Sequence, residues 1–113
     1  MTLTWPTGKR ATISEIQECV EAGWSQLLEE LILDLVKLGW DGQIHQVKEK
    51  FGGLRFYIGA GSAAIFDRIN EAEIKSRTVC ETCGQPGKIR GTSWLYCSCD
   101  RCDPWSQLIL QAR

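Results

Sequence analysis

The sequence predicts an α+β fold with a zinc ribbon and a short terminal helix at its C-terminal end, on three observations. Apolar residues recur at helical spacing before residue 39, strand-like alternation brackets a Gly-Gly turn at 52–53, and five of the six cysteines fall between residues 80 and 102. At 113 residues the chain has the size of one domain. Residues 1–78, the α+β core, and 79–113, the ribbon plus terminal helix, are therefore expected to form one compact unit. With 43% hydrophobic and 24% charged residues, a disordered or collagen-like chain is excluded.

The helical pair comes first. Thr12 and Glu15 have capping-box spacing, and Ile13, Ile16 and Val20 share one face, which predicts a helix over 13–22 that Gly23 ends. Ser25 is placed to cap a second helix, in which Trp24, Leu27, Leu28, Leu31, Leu35 and Leu38 form a stripe, with Gly39 as its C′ residue. Ile32, Leu33 and Val36 widen that stripe beyond a surface helix and point to central burial.

After an Asp41-Gly42 turn, 43–50 and 54–58 read as two strands of a hairpin around Phe51-Gly52-Gly53. Leu54, Phe56 and Ile58 take one face of it, Arg55 and Tyr57 the other. Ser62 caps a third helix carrying Ile65, Phe66, Ile69 and Ala72 to about Arg77. Strands at 88–90 and 94–96 are expected inside the ribbon, and Asp103-Pro104 opens a last helix with Trp105, Leu108 and Ile109.

The pattern Cys80-x2-Cys83-x15-Cys99-x2-Cys102 has four-thiolate zinc spacing. Each C-x-x-C turn sets two sulfurs on one side of a knuckle, and two knuckles close a tetrahedron around Zn2+. Gly84 supplies the left-handed position after the first knuckle. Cys97 is an alternative second-knuckle ligand, but only Cys99 with Cys102 repeats the two-residue spacing. Disulfides, an iron–sulfur cluster and a redox dithiol also use clustered cysteines. Disulfides fit poorly with a chain that shows no export signal, and a redox C-x-x-C normally opens a helix after a strand. Four thiolates leave no open coordination position, so the metal is expected to be structural and the protein not an enzyme. Cys19 reads as a small buried hydrophobe and His45 as a partly buried structural side chain.

Charge divides the chain. Residues 1–47 hold three basic and seven acidic side chains, and residues 48–113 hold ten and seven, within a total of 13 and 14. The net charge of −1 argues against a nucleic-acid-coating role. Glu29, Glu30, Asp34 and Lys37 interrupt the leucine-rich stretch, so no membrane span or signal sequence is expected, and the default address is the cytosol. Glu15, Glu18, Glu21, Glu29, Glu30 and Asp34 make an acidic helical surface whose simplest role is solubility. The glycine segments at 52–53 and 59–61 match no phosphate-binding fingerprint and read as turns. Lys48, Lys50, Arg55 and Tyr57 stand around a hairpin whose other face is apolar, which suits contact with a protein or a nucleic acid.

Several segments together are familiar: Gln46-Val47-Lys48-Glu49-Lys50-Phe51-Gly52-Gly53-Leu54-Arg55-Phe56-Tyr57, then Cys80-Glu81-x-Cys83-Gly84-x-Pro86-Gly87, and Trp94 ahead of a closing pair. Over residues 39–102 the chain resembles a family of small, largely uncharacterised phage and prophage proteins. That family commonly closes its site with Cys-x-x-His five and eight residues after the tryptophan, which lands on Cys99 and Cys102; the resemblance thus implies Cys99 over Cys97, with Cys102 replacing histidine. It transfers no activity. It implies a phage-type accessory protein, working in the host cytosol, that binds and modulates or inhibits a host protein complex, including a defence system such as CRISPR-Cas. A nucleic-acid-binding regulator using the basic hairpin and the ribbon is the alternative.

Overall fold

The computed structural model describes residues 2–103. Over these residues the fold is α+β, with three α-helices and two small antiparallel hairpins. Helix α1 spans Ile13–Gln17, α2 Ser25–Lys37 and α3 Ala63–Ser76; strands β1 (Ile44–Lys50) and β2 (Gly53–Ile58) pair with each other, as do β3 (Lys88–Arg90) and β4 (Tyr96–Ser98). The expected terminal helix after Asp103 lies outside the described residues.

The capping box forms as its spacing predicts: Glu15 N–H donates to Thr12 Oγ1 (3.1 Å) and Thr12 N–H to Glu15 Oε1 (2.9 Å). The helix nevertheless stops at Gln17 rather than residue 22. The chain leaves it because Gly23 N–H reaches across to the Glu81 carbonyl (2.7 Å) and the Trp24 indole N–H donates to the Val79 carbonyl (2.9 Å), both in the cysteine-bearing segment. Residues Ala22–Trp24 therefore coil as a 3-10 turn that runs directly into α2, whose N-cap is Trp24 and not Ser25. Gly23 stands so close to Cys80 and Glu81 backbone that an added Cβ would collide with both.

Helix α2 is central. Leu28, Leu31, Ile32 and Leu35 are buried, whereas Leu33 and Leu38, assigned to its apolar surface from the sequence, stand exposed. Its end is a Schellman motif: Gly39 at φ +92° donates to Val36 (3.1 Å) and Trp40 to Leu35 (3.0 Å). That turn seats Trp40 edge-on against Phe56, ring centroids 5.9 Å apart.

The β1–β2 register pairs Val47 with Phe56 and Glu49 with Leu54 on the core side. Lys48 opposite Arg55, and Gln46 opposite Tyr57, form the outer side. An unexpected N-terminal element borders β1, where Thr4 N–H donates to the Gly42 carbonyl (2.9 Å) and Ile44 N–H to the Thr4 carbonyl (2.9 Å). At its other edge, β2 meets no third strand among the described residues. Instead α3 lends side chains as surrogate acceptors: Leu54 N–H donates to Ser76 Oγ (2.8 Å) and Phe56 N–H to Glu73 Oε2 (3.0 Å). Phe66, expected on the buried side of α3, is exposed, while Ile65, Ile69, Ala72 and Ser76 are buried.

Ser76 has no solvent exposure, and its hydroxyl also donates to the Glu73 carbonyl (2.6 Å). Removing it strands the Leu54 amide in a dry edge, so Ser76→Ala should destabilise by about 1–3 kcal/mol. The midpoint of urea unfolding measures this, and an unchanged midpoint would show that the helix is not capping the sheet.

Candidate metal centre and hairpin surface

Two local turns bring four thiols together. Cys80 N–H donates to the Gln85 carbonyl (2.8 Å) and Gly84 N–H to the Cys80 carbonyl (3.0 Å), which winds 80–85 into a knuckle, with Gly84 at φ +82°. The second knuckle follows β4, where Asp103 N–H donates to the Cys99 carbonyl (3.1 Å). The ligand atoms of Cys80, Cys83, Cys99 and Cys102 all lie within 4.8 Å of one another. The Cys83 and Cys99 sulfurs are 3.7 Å apart. A tetrahedron with Zn–S bonds of about 2.3 Å has edges of about 3.8 Å. The four residues can hold a metal ion, and all six cysteines are free thiols.

Cys97 belongs elsewhere. Its sulfur donates to the Arg77 carbonyl (3.2 Å) and the side chain is part of the hydrophobic core. Burial first, then the charges of Glu81 and Cys80, pushes its thiol up to about 11. Three of the clustered thiols, Cys80, Cys99 and Cys102, are set by one another and by the knuckle backbone. Burial opposes ionisation of Cys80, but backbone N–H groups of Cys83, Cys99 and Thr82 outweigh it and bring the thiol down to about 6. Cys99 is lowered chiefly by the Cys102 backbone N–H. Cys102 is pushed up to about 12, because its proton is what Cys99 and Cys83 hydrogen-bond. Cys102 thus holds a proton that a cation would displace, which is the behaviour expected of a metal site.

The β4 register differs from expectation: the strand is 96–98 and not 94–96, since Gly91 turns at φ +94° and carries Trp94 out to 78% exposure. The shift leaves Tyr96 to donate to Asp103 Oδ1 (2.7 Å). Arg90, a residue no motif marked, clamps the second knuckle: Nε donates to the Ser98 carbonyl (2.9 Å), one terminal nitrogen to Asp103 (3.1 Å) and the other to Asp100 (2.7 Å). Glu81 ties β4 to the first knuckle by accepting the Cys97 N–H at 2.6 Å. An arginine three residues after a glycine in a cysteine-rich stretch carries no spacing signal, so only the fold could reveal it.

The hairpin residues resolve unequally. Lys48 and Tyr57 share the outer face, with the Lys48 ammonium 5.9 Å from the Tyr57 ring centroid, and Lys50 stands 5.5 Å from the Phe51 ring. Arg55 is half-buried and leans to Glu73 at 4.0 Å, so it serves the α3–β2 joint as well as the surface. Two further readings are corrected. Cys19 is exposed rather than buried, because α1 ends before reaching it, and His45 is exposed as well, lying over Gly59. No helix of the described residues is long and apolar enough to cross a membrane.

A small α+β protein with a four-cysteine ribbon is the class that fold and site define. No protein-family model matches this chain, and no curated protein or solved structure is significantly similar to it.

Outer-sphere groups that orient metal ligands typically change affinity about 10–100-fold when removed. Arg90→Lys keeps the charge but loses the three-way fork, so metal retention in a chelator competition should fall by about tenfold or more. Cys99→Ser should lose the metal outright, whereas Cys97→Ser should keep it. Metal loss confined to Cys97→Ser would reassign the second knuckle.

Proposed function

We propose that the four cysteines hold a structural Zn2+ and that the protein is a non-enzymatic accessory module, of the phage type its sequence resembles, which binds and modulates a host protein complex. Zinc suits the donor set because four soft thiolates at tetrahedral spacing satisfy a d10 ion and leave no position for substrate or water. The residues that would hold it are Cys80, Cys83, Cys99 and Cys102, and the ion would supply cross-linking rather than chemistry.

The observation that carries the binding role is the outer face of the β1–β2 hairpin. Lys48, Lys50 and Tyr57 line one side of a sheet whose other side is packed into the core, so the face is rigid and offered to solvent. Tyrosine and cations on such a platform suit a protein partner with an acidic surface. A host defence complex is the kind of target that the resemblance implies. The two Lys–aromatic pairs favour a second reading, nucleic-acid binding, because the same groups suit stacking with phosphate contacts.

Elemental analysis should find one zinc per chain, and chelation should loosen residues 80–102 in hydrogen exchange more than α2, since the ribbon contributes little aliphatic core of its own. Lys48→Ala combined with Tyr57→Ala should leave the melting temperature within a few degrees. It should reduce capture of the partner from host lysate, read by mass spectrometry, by about tenfold or more. Capture that disappears on nuclease treatment would move the reading to nucleic acid. Undiminished capture by the double variant would remove the hairpin from the function.

A further inference from the structure

We propose that the protein self-associates through its hairpin tip, the Lys50–Phe51 knob of one copy entering the acidic cleft of a second.

The knob is the strained point of the chain. Phe51 is the single non-glycine residue with positive φ among the described residues, at +55°. It opens the two-residue loop between the paired Lys50 and Gly53. Such loops favour Asn or Gly there, because a left-handed conformation crowds a bulky side chain. The strain is not compensated by burial, since the ring is 62% exposed with the Lys50 ammonium 5.5 Å from its centroid. Gly52, by contrast, is wedged against Ile89 and Tyr96 so tightly that a Cβ would lie 2.7 Å from the Ile89 side chain, and its N–H donates to Glu49 Oε2 (2.7 Å). The tip is therefore held in place by the ribbon while the phenylalanine is turned outward. A strained, rigid, exposed aromatic beside a cation has the form of an anchor for another surface.

The complementary surface is on the same chain. A cleft of about 530 Å³ lies between the turn after α1 and the ribbon, lined by Glu18, Glu21, Glu49, Glu81, Trp94 and Tyr96. It is wide enough for an aromatic side chain with its neighbouring lysine, being within the size range of small-ligand pockets. Its carboxylates are gathered in one cleft, and none pairs with a cation among the described residues. Trp94 stands 78% exposed as an aromatic wall. A phosphate backbone is repelled there, while an ammonium with an aromatic ring meets carboxylates and an indole face.

Position favours a closed dimer over a chain of copies. Glu49 lines the cleft and Phe51 is two residues away, so knob and cleft are neighbours on one side of the molecule. A two-fold axis passing between them lets each knob enter the other copy's cleft, the self-complementary arrangement of an isologous interface. No other protein is needed, so partner capture can fail while this holds, and the reverse.

Sedimentation velocity of the full, zinc-loaded chain across the micromolar range tests it. A dimer is expected at low salt, weakening as salt screens the lysine–carboxylate contacts. Phe51→Asn should raise the dissociation constant by about tenfold or more. Its melting temperature should not fall, because asparagine adopts the left-handed turn with less strain. Lys50→Glu and Glu18→Lys should each be monomeric alone, and an equimolar mixture of the two should dimerise. In the mixed dimer one knob–cleft contact is unchanged and the other is charge-swapped back to attraction. A monomer at every concentration, a Phe51→Asn dimer as tight as the parent, or a mixture that stays monomeric overturns the proposal. So does a monomeric parent whose tip binds a labelled oligothymidylate and loses it in Phe51→Asn, which would give the tip to nucleic acid.

Discussion

Four sulfurs within 4.8 Å of one another cannot all ionise without a cation among them, and residues 80–103 are arranged around that repulsion. Backbone N–H groups of the knuckles draw Cys80 and Cys99 toward thiolate, leaving Cys102 to keep its proton up to about 12. A metal ion that displaces that proton turns mutual repulsion into four bonds, and with it fixes Cys80 to Cys102 across the width of the ribbon. What the ribbon lacks in aliphatic burial would be offset by this cross-link, beside the Arg90 fork, which pins Asp100 and Asp103 on either side of Cys102.

The ribbon is not a separate appendage. Cys97, in β4, points away from the cluster into the hydrophobic core, whereas Cys99, just past the end of the strand, joins the cluster. Trp24 and Gly23 hand their N–H groups to Val79 and Glu81, and the hairpin tip rests on Ile89 and Tyr96. Metal site, α2 entrance and hairpin are thereby in mechanical contact. Order in the ribbon is order at the tip, so a metal ion held by the four cysteines would bear on a surface that contains no metal ligand.

How much of this could be read beforehand depended on whether the cause was local. The Gly39 helix end and the Ser62 cap are decided within a few residues, and both stand as their sequence patterns indicate. The paired C-x-x-C turns are equally local, and their spacing is enough to single out Cys99 beside Cys102 once a knuckle is assumed. The early stop of α1 has a remote cause, hydrogen bonds from residues 23 and 24 to residues 81 and 79, and periodicity through Val20 contains no trace of it. The two-residue slip of β4 follows from Gly91, which is a visible turn signal, but how far the turn extends depended on Tyr96 finding Asp103. Exposure of Leu33, Leu38 and Phe66 was illegible for a different reason: apolar character says which residues gain from burial, not how wide a face the neighbouring elements cover.

The hairpin shows how one pairing register sorts charge. Because side chains alternate along a strand, placing Val47 opposite Phe56 in the core forces Lys48 opposite Arg55 outward, and a one-residue slip would bury the cations and expose the core. Register in turn depends on the loop, where Phe51 and Gly52 both take positive φ so that two residues suffice to reverse the chain. Gly52 is required there because Ile89 and Tyr96 leave no room for a Cβ, whereas the backbone at position 51 would be easier with glycine, asparagine or aspartate. A glycine at 52 is thus explained by packing inside the chain. A phenylalanine at 51 is explained by nothing inside it, and the physical account of that residue has to be sought in what the tip touches.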